Sequence, residues 1–486
     1  MNWRCGKIRA SLRVARVSGP DEPTALLEHL AGLASPVLLD SSASHESLGR
    51  FSIAACNPRE VLEVRGGKAY DQANRCLAED NETLWALLNQ AFECISLCDK
   101  PVAQPRPAYL PGWIGYVGYE IARTVETLPS QAQRDTPLAD LRLGFYDAIA
   151  LFDTLERSWH IVELVFDEPS PPNQAGARLR EILALAKADS HAQTKTPTPP
   201  SAPAREAKLP GSNFSPDEYR QAIARCIDYI AAGDIFQVNL SQRFEVDPCP
   251  EPLEIYRQLR RVNPAWYSAY LAFETGGESC AVLCSSPELF LRCRDGHVVT
   301  RPIKGTARRS GEPAADRAAG AELLASEKDN AELAMIIDLL RNDLGRVCKF
   351  GSVRVTDPVS LESHPTVFHL VGTVEGDLLE GLGQADLLRA TFPGGSITGA
   401  PKIRAMEIID EIEPVARGVY TGCIGIVGVA GQAEWNIVIR TAICTGSRAM
   451  VQVGGGIVAD STAQGEYVET LDKARAMLQA ITQAKQ

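Results

Sequence analysis

The chain has 486 residues and a formal net charge of −12 at pH 7. Hydrophobic residues make up 45% and charged residues 23% of it, as in a soluble globular protein. The acidic balance argues against a nucleic-acid-binding surface, and no run of eighteen apolar residues predicts a transmembrane helix. The 13 cysteines contain no CxxC pair, so they indicate a reduced cytoplasmic environment and neither a disulfide scaffold nor a zinc ribbon.

The first twenty residues contain basic side chains and no acidic ones. This composition vaguely resembles a transit peptide, but a basic edge strand over Ile8–Val17 is the favoured interpretation. Residues 189–212 contain five prolines and almost no large apolar side chain. Such a segment cannot bury a core, so we predict an exposed connector between an N-terminal subdomain, residues 1–188, and a C-terminal part, residues 213–486.

The C-terminal part begins with a helix signal. Ser215 and Glu218 have the spacing of a capping box, with Pro216 at the first helical position. Gly233 is suited to end this helix, and alternation over residues 234–246 then predicts a strand. Further strands are predicted at 280–293, 297–303, 420–430, 435–445 and 448–453, and helices at 321–341, 400–411 and 464–482. Strands in runs, without regular βαβ alternation, predict an α+β fold with mainly antiparallel sheet.

Two predicted helices carry paired acidic residues. Glu466, Glu469 and Lys473 share one face of the last helix, and Asp329 and Glu332 lie three residues apart on an earlier one. Taken alone, each group is typical of a solvated helix face. Two acidic pairs could also converge on a hard cation such as Mg²⁺, which takes carboxylate, water and substrate oxygens. No HxH or HExxH occurs among the seven histidines, so a zinc site is not expected.

Glycine-rich segments offer candidate ligand contacts. In "FPGGSITGAPK" (392–402) a turn runs into a helix with Pro401 at its first position. The segment lacks the Lys and Ser/Thr that end a P-loop, although amides at a helix start favour an anion. Gly454, Gly455 and Gly456 end a predicted strand, where they either admit a ligand close to the backbone or form a tight turn.

A glutaminase activity is not expected. The segment "TGCIG" around Cys423 superficially resembles a cysteine nucleophile turn, but such a cysteine needs a histidine base and no histidine follows His369. Lys304, in "RPIKGTARR" (301–309), is open to three interpretations: a surface cation, a charge clamp for an anion, or a chemical actor. The first is the default, because lysine is almost never fully buried unless paired.

Together these stretches resemble the chorismate-utilising enzymes. The matching segments occur in the family's order: "FQVNLSQRF", "SSPELFL", "RPIKGT", "DLLRNDLGRV", "FHLVGTVEG", "FPGGSITGAPKIRAMEIIDEIEP", "IRTA" and "GGGIVADS…EYVETLDKA". They cover about 214–482, and "LLDSS" (38–42) and "GWIGYVGYE" (112–120) match more weakly. The resemblance implies a large interleaved α/β sandwich with two mainly antiparallel sheets and outer helices, in which the two parts are connected subdomains.

The resemblance also implies roles for single residues. Glu332 and Glu469 would bind Mg²⁺ directly, and Asp329 and Glu466 would contact it through water or contact its ligands. Substrate contacts are implied at Gly305, Thr306, His369, Arg440, Gly454, Gly455, Gly456 and Lys473. Glu288 would protonate the departing C4 hydroxyl of chorismate, and Lys304 would act as a nucleophile or as a base.

Two positions and one segment discriminate within the family. Members that aminate C2 usually have Ala at Lys304 and "AGTVSGAPK" in place of "GGSITGAPK". Isochorismate-forming members have a water-activating lysine at Gln237, and a glutamine cannot be that base. We therefore expect amination of chorismate at C4 to 4-amino-4-deoxychorismate, on the route to p-aminobenzoate and folate. The alternatives are C2 amination with loss of pyruvate, and a non-catalytic chorismate- or tryptophan-binding subunit.

Ammonia must come from elsewhere, so we expect a separate glutamine amidotransferase subunit as partner. We expect no nucleic-acid or membrane partner. A tryptophan-type pocket is implied by resemblance at Leu39, Asp40, Ser41, Asn263, Pro264 and Tyr267. The sequence leaves open whether tryptophan binds there and whether it regulates.

Overall fold

The computed structural model describes residues 4, 6–43, 48–98, 107–167, 174–192 and 209–484. Its strands are β1 (Ile8–Val17), β2 (Val37–Asp40), β3 (Phe51–Ala55), β4 (Glu60–Arg65), β5 (Lys68–Asp71), β6 (Cys76–Ala78), β7 (Ile95–Leu97), β8 (Gly112–Val117), β9 (Leu141–Tyr146), β10 (Ala148–Asp153), β11 (Ser158–Phe166), β12 (Gln237–Val246), β13 (Tyr267–Thr275), β14 (Glu278–Ser286), β15 (Leu289–Arg294), β16 (His297–Arg301), β17 (Ile303–Arg308), β18 (Arg354–Ser363), β19 (Val367–Asp377), β20 (Gly399–Ala400), β21 (Cys423–Gly428), β22 (Ala433–Asn436), β23 (Thr441–Thr445) and β24 (Arg448–Ile457).

The α-helices are α1 (Leu27–Leu30), α2 (Asn81–Phe92), α3 (Ala175–Ala192), α4 (Pro216–Ala231), α5 (Pro252–Val262), α6 (Pro313–Ala325), α7 (Glu327–Gly345), α8 (Gln384–Thr391), α9 (Lys402–Ile412) and α10 (Ala463–Gln483). Within the described ranges, no helix is both long enough and apolar enough to span a membrane.

The strands form two twelve-stranded sheets. The first has the order β20-β12-β24-β23-β14-β13-β2-β3-β10-β11-β1-β7, and the second has the order β17-β19-β16-β15-β22-β21-β8-β9-β4-β5-β6, with β18 beside β19. Among the described strand pairs, only β1 and β7 run parallel. The predicted α+β class with two mainly antiparallel sheets is confirmed.

Both sheets contain strands from both parts of the chain. In the first sheet β13 pairs with β2, and in the second β21 pairs with β8. Helix α3 includes the first residues of the predicted connector, residues 209–212 are described after it, and residues 193–208 lie outside the described residues. The two parts are therefore joined through continuous hydrogen-bonded sheets.

Packing explains the layered arrangement. The larger hydrophobic cluster takes Val282 from the first sheet and Trp113 from the second. A second cluster joins the opposite face of the first sheet to helices such as α5 and α10. Strand β10 shows the alternation directly, because Ile149 belongs to the first cluster and Ala150 to the second. Helices cover the outer face because that face is apolar too.

Several predicted elements have the expected place. Ser215 and Glu218 form the predicted capping box of α4, and β12 follows it. The basic strand Ile8–Val17 is present, but it is next to the edge, since β7 pairs with its first residues. Pro401 precedes α9 as its N-cap and does not occupy the first helical position.

Three predicted strands and one predicted helix were wrong in extent. The segment 280–293 is two strands, because the chain leaves the first sheet after Ser286 and enters the second at Leu289. The segment 435–445 crosses in the opposite direction between β22 and β23, and 297–303 is interrupted between β16 and β17. The helix at 321–341 is two helices, and Ser326 caps the second.

Candidate active site

Glu288 lies in the link that carries the chain from one sheet to the other. It is 4% exposed, and Ser396 Oγ donates a 2.6 Å hydrogen bond to its Oε1 atom. Burial is the largest influence and raises the pKa of Glu288 to about 7, although Ser396, the positive charge of Lys304 and the amide of Ile303 oppose it. A carboxyl with a pKa near 7 can hold a proton at neutral pH and give it to a leaving group.

Lys304 is the second residue of β17, and its side chain is 11% exposed. It is therefore not a solvated surface cation. Its Nζ atom lies 3.9 Å from Oε2 of Glu332. Burial lowers the pKa of Lys304, Glu332 opposes this, and the positive charge of Lys473 adds to it. A lower pKa increases the neutral fraction of the amine, which is the form that can attack carbon or accept a proton.

Gln237 connects three elements around Lys304. Its Nε2 atom donates a 3.1 Å hydrogen bond to Oε2 of Glu332, the same oxygen that faces Lys304. A Cβ atom at Gly456 would lie 2.3 Å from this Nε2 and 3.4 Å from Lys304 Nζ. Because residue 456 has no side chain, the ends of the Gln237 and Lys304 side chains can lie this close to the backbone of β24.

The four acidic residues lie in the first two turns of α7 and α10, and each has a partner. Ser326 Oγ contacts Asp329 Oδ2 at 2.5 Å, and Ser461 Oγ contacts Glu466 Oε1 at 2.6 Å. Glu332 faces Gln237 and Lys304 as described, and Lys473 forms a 2.7 Å ion pair with Glu469.

Charged side chains near the starts of α7 and α10 influence the same lysine, Lys304. The charges of Glu332 and Glu469, one from each helix, both act on the pKa of Lys304. Lys328, at the start of α7, acts on Glu469 of α10. Lys473 is the largest influence on Glu469 and lowers its pKa. One carboxylate from each helix is therefore close enough to Lys304 to influence it.

The carboxylates of α10 offer oxygen ligands to a hard cation. Oε2 of Glu466 is buried without a hydrogen-bond partner, and burial raises the pKa of this carboxyl. A Cβ at Gly455 would lie 3.1 Å from that oxygen and 3.7 Å from Oε1 of Glu469. No group of three or more His, Cys, Asp or Glu side chains surrounds a single point in the described part of the chain. The oxygen donors and the unpartnered carboxylate oxygen fit a hard cation that shares its ligands with substrate and water.

His369 packs beside Gly305 and Thr306 of β17. Its Nδ1 atom lies 2.9 Å from Thr306 Oγ1 and 3.3 Å from the carbonyl oxygen of Gly305, while its Nε2 atom is buried without a hydrogen-bond partner. Burial, followed by the charge of Arg440, holds its pKa well below the usual value, so the ring is neutral at pH 7. A Cβ on Gly305, whose φ is +70°, would lie 3.0 Å from Asp329.

Arg440 and Lys473, the two cationic residues predicted to contact substrate, are each held by a hydrogen bond to a neighbouring residue. Arg440 Nη1 donates a 2.7 Å hydrogen bond to Oδ1 of Asn263, in addition to its influence on His369. Lys473 Nζ donates a 3.1 Å hydrogen bond to the carbonyl oxygen of Gly454. Gly454, Gly455 and Gly456 all lie inside β24, so they do not form a tight turn.

The residues of the predicted tryptophan-type pocket divide into two groups. Leu39, Asp40 and Tyr267 line a cavity of about 40 Å³ between the sheets, far below the roughly 300–1,000 Å³ of typical ligand pockets. Asp40 is already paired with Arg260 at 2.7 Å. The other three residues are not among those that line the cavity: Ser41 donates to the carbonyl of Ala43, Asn263 binds Arg440 and Ser285, and Pro264 precedes β13.

Sequence reasoning missed two groups in this region. Ser396, which contacts Glu288, was treated as part of a glycine-rich turn, and nothing in the spacing relates it to a residue 108 positions earlier. Lys328 directly precedes Asp329, so its position beside an acidic pair was the available signal. Cys423 is buried in β21, and burial raises its thiol pKa well above the usual value, as expected of a structural cysteine.

The chain is similar in sequence to a known enzyme family over most of its length. A model described as chorismate binding enzyme matches residues 37–479. The chain belongs to this family. Anthranilate synthase component 1 of Pseudomonas aeruginosa is 37% identical over 500 residues, covering 99% of this chain and 97% of that protein. Aminodeoxychorismate synthase component 1 of Klebsiella aerogenes is 37% identical over 470 residues, covering 96% of this chain and 99% of that protein.

Solved structures agree with the assignment to the chorismate-binding enzymes. Anthranilate synthase component I from Streptococcus pneumoniae superposes with a TM-score of 0.70 at 32% identity, covering 89% of this chain and 93% of that one. The menaquinone-specific isochorismate synthase of Escherichia coli gives a TM-score of 0.66 at 18% identity, covering 98% and 95%, and supports the fold alone. The protein is a chorismate-utilising enzyme, and relatives of two specificities are equally similar to it.

Proposed function

We propose that the enzyme is an aminodeoxychorismate synthase component 1, which aminates chorismate at C4 with ammonia from a separate glutamine amidotransferase subunit. The observation that carries the proposal is the buried amine of Lys304, whose charge acts on Glu288 while Glu332 lies 3.9 Å away. A surface or purely structural lysine has no need of such surroundings. Anthranilate-forming relatives usually have Ala at this position, which removes the amine.

When bound, Mg²⁺ would be held by Glu332 and Glu469, with Asp329 and Glu466 acting through water, and would neutralise the ring carboxylate. His369, Thr306 and Arg440 lie on the side of the site where a neutral imidazole, a hydroxyl and a guanidinium can donate hydrogen bonds to carboxylates. These groups would fix the ring so that C2 faces Lys304 and the C4 hydroxyl faces Glu288.

In the first step, the neutral amine of Lys304 forms a bond to C2 and the ring double bond shifts. The bond between C4 and its oxygen breaks as Glu288 gives its proton to that oxygen, which leaves as water. Glu288 becomes a carboxylate, and the new nitrogen on C2 carries the positive charge until it loses a proton, which restores the neutral acid of Glu288. Burial supports both roles, because it lowers the pKa of Lys304 and raises that of Glu288.

In the second step, ammonia attacks C4 and the lysine amine leaves C2. The proton that the attacking nitrogen loses balances the one that the departing amine takes up. This route gives 4-amino-4-deoxychorismate, a precursor of p-aminobenzoate and folate, and regenerates free Lys304. Gln237 cannot replace the lysine that activates water in isochorismate-forming relatives, so addition of water at C2 is disfavoured. The proposal includes a cytoplasmic location, which a sequence of 13 cysteines without a CxxC pair favours.

The second candidate is anthranilate synthesis, which the equal identity to both kinds of relative keeps open. Incubation of the purified chain with chorismate, Mg²⁺ and an ammonium salt separates the two. The proposal expects a product that becomes p-aminobenzoate only after an added aminodeoxychorismate lyase. Direct release of fluorescent anthranilate and pyruvate would replace the proposal with the second candidate.

A further inference from the structure

Ser396 lies in the short turn Gly395–Ile397 between α8 and α9, and its hydroxyl reaches Oε1 of Glu288 at 2.6 Å. We propose that Ser396 is a positioning residue that orients the acidic proton of Glu288 toward the departing hydroxyl of chorismate. Of the two oxygens of a neutral carboxyl, the carbonyl oxygen is the stronger hydrogen-bond acceptor, whereas the hydroxyl oxygen donates its proton. With Oε1 accepting from Ser396, the proton of the neutral acid lies on Oε2.

The turn that carries Ser396 is held on several sides. Thr398 Oγ1 donates a 2.9 Å hydrogen bond to the carbonyl oxygen of Gly394, and Arg417 Nη1 donates a 2.9 Å bond to that of Ile397. Arg417 is itself buried in an ion pair with Glu413 at 2.8 Å. The position of the hydroxyl is therefore set by the fold and not by Ser396 alone.

Arg417 also ties this turn to the strand that carries Gln237. Its Nη2 atom donates a 2.5 Å hydrogen bond to the carbonyl oxygen of Asn239 in β12. Gly395 packs against α7, since a Cβ there would lie 2.7 Å from Leu339. The turn that carries Ser396 therefore has a fixed position relative to β12 and α7.

Ser396 contacts the acid before and after proton transfer. The proton passes from Oε2 of Glu288 to the oxygen on C4, the C4–O bond breaks, and water leaves. The carboxylate that remains still accepts from Ser396, and a hydrogen bond to a charged acceptor is stronger than one to a neutral acceptor. The inference rests on the proposed role of Glu288 as the acid. It holds for amination at either carbon, because both reactions lose the C4 hydroxyl.

The test uses three variants of the full chain: Ser396→Ala, Ser396→Thr and Thr398→Val. The last is a matched control, because it removes a hydroxyl that anchors the same turn but keeps the Ser396 hydroxyl that contacts Glu288, and so it separates loss of the donor from loosening of the turn. The rate constant kcat is measured against pH at constant free ammonia, and thermal unfolding is followed for each variant. For Ser396→Ala we expect kcat to fall roughly 10- to 100-fold, part of what a positioned acid supplies.

The pH dependence distinguishes positioning from a merely structural role. Loss of the donor destabilises the carboxylate, so the basic limb of kcat should move up by about one pH unit in Ser396→Ala. Ser396→Thr, which keeps a hydroxyl, should restore kcat and the limb, and Thr398→Val should leave the limb in place. An unchanged limb and kcat in Ser396→Ala, or an equal movement in Thr398→Val, would overturn the inference.

A second measurement does not depend on turnover. Carbon-13 NMR of glutamate δ-carbons, with the Glu288 signal assigned by its loss in Glu288→Gln, gives the pKa of Glu288 in wild type and in Ser396→Ala. A higher pKa in the variant supports the contact even if the wild type proves to make anthranilate. An identical pKa in a folded variant refutes the inference without bearing on which product is formed.

Discussion

The Nζ atom of Lys304 lies 3.9 Å from Oε2 of Glu332. The same oxygen accepts the hydrogen bond from Gln237, so one carboxylate is shared between the proposed nucleophile and the residue that replaces a water-activating lysine in relatives. Glu332 favours the charged amine, whereas burial disfavours it. Under the proposed function, a cation bound by Glu332 would weaken this support and lower the pKa of Lys304 further. Substrate and metal binding would thereby activate the nucleophile.

A covalent intermediate on Lys304 is the first prediction. In the presence of chorismate and Mg²⁺ but without ammonia, intact-mass analysis should show an adduct of dehydrated chorismate on the peptide that contains Lys304. Lys304→Met should form no adduct and lose at least roughly 100-fold in ammonia-dependent turnover. Arg308→Ala, an exposed charge on the same strand, is the control and should behave as wild type. No adduct, together with near-normal turnover of Lys304→Met, would exclude the nucleophile.

The pKa of Glu288 near 7 gives a pH prediction. The acid must be protonated to act, so kcat at constant free ammonia should fall as pH rises through about 7. Glu288→Gln should lower kcat by about 10²–10⁴ and remove this limb. A flat profile between pH 6 and 8.5 in the wild type would show that Glu288 is not the acid.

The same raised pKa has a consequence for stability. A folded-state pKa above the unfolded value near 4.5 means that the proton binds more tightly to the folded chain. The contribution to stability is therefore fully present below about 4.5 and is lost as pH rises to about 7. Between pH 5 and 8, wild type should lose roughly 2 kcal/mol more free energy of unfolding than Glu288→Gln. Equal losses in urea titrations of the two proteins would contradict the buried acid.

Gly456 tests the close approach at the site. In Gly456→Ala the new Cβ would lie 2.3 Å from Gln237 Nε2, so the amide must move away from Glu332. Because only the end of a flexible side chain is displaced, the fold should persist while turnover falls about 10- to 100-fold. Gly345→Ala, where a Cβ meets no atom within 4 Å, is the control. Wild-type turnover in a folded Gly456→Ala would show that Gln237 and Lys304 tolerate displacement.

Local patterns correctly predicted the start of α4 and the strand β12 that follows it. The capping box at Ser215 depends on neighbouring residues alone, and it forms as expected. The interruptions were missed for a physical reason. Residues 280–293 are almost entirely buried because each half lies in a different sheet, and periodicity does not reveal the crossing at Pro287 and Glu288.

In the candidate site, too, local patterns could be predicted from the sequence and tertiary contacts could not. The acidic pairs on α7 and α10 could be predicted because their i,i+3 spacing is a local property. The partnership of Glu288 with Ser396 could not, because it depends on how the second sheet places residue 288 against a turn 108 positions later. Burial that lowers the pKa of Lys304 is likewise a tertiary effect, for which a lone lysine between Ile303 and Gly305 gives no signal.

The source of nitrogen gives a further prediction. The purified chain should be inactive with glutamine and active with an ammonium salt near pH 8.5, where more free NH₃ is present. Cys423, the one residue that resembled a glutaminase nucleophile, is buried with a raised thiol pKa. Cys423→Ser should therefore retain ammonia-dependent turnover. Glutamine-dependent turnover by the isolated wild-type chain would contradict the need for a partner subunit.

Dependence on Mg²⁺ is the last prediction, and it rests on the two acidic pairs. Excess chelator should abolish turnover, and added Mg²⁺ should restore it. Glu469→Gln removes one negative charge from the proposed ligand set and leaves Lys473 without its 2.7 Å partner. We expect its apparent affinity for Mg²⁺ to fall at least roughly 10-fold, with little change in unfolding temperature, because the group lies at a helix surface.

Asp472→Asn provides the matched control for this measurement. It removes a charge from the same helix, but Asp472 faces Arg475 at 3.0 Å and is largely exposed. Its Mg²⁺ dependence should equal that of wild type, since electrostatic interactions among exposed charges are strongly screened. Titration of Mg²⁺ by calorimetry, in the presence of a non-reacting chorismate analogue, measures binding apart from turnover. Full activity in excess chelator, or equal Mg²⁺ affinity in Glu469→Gln and Asp472→Asn, would remove the carboxylates of α10 from the metal site.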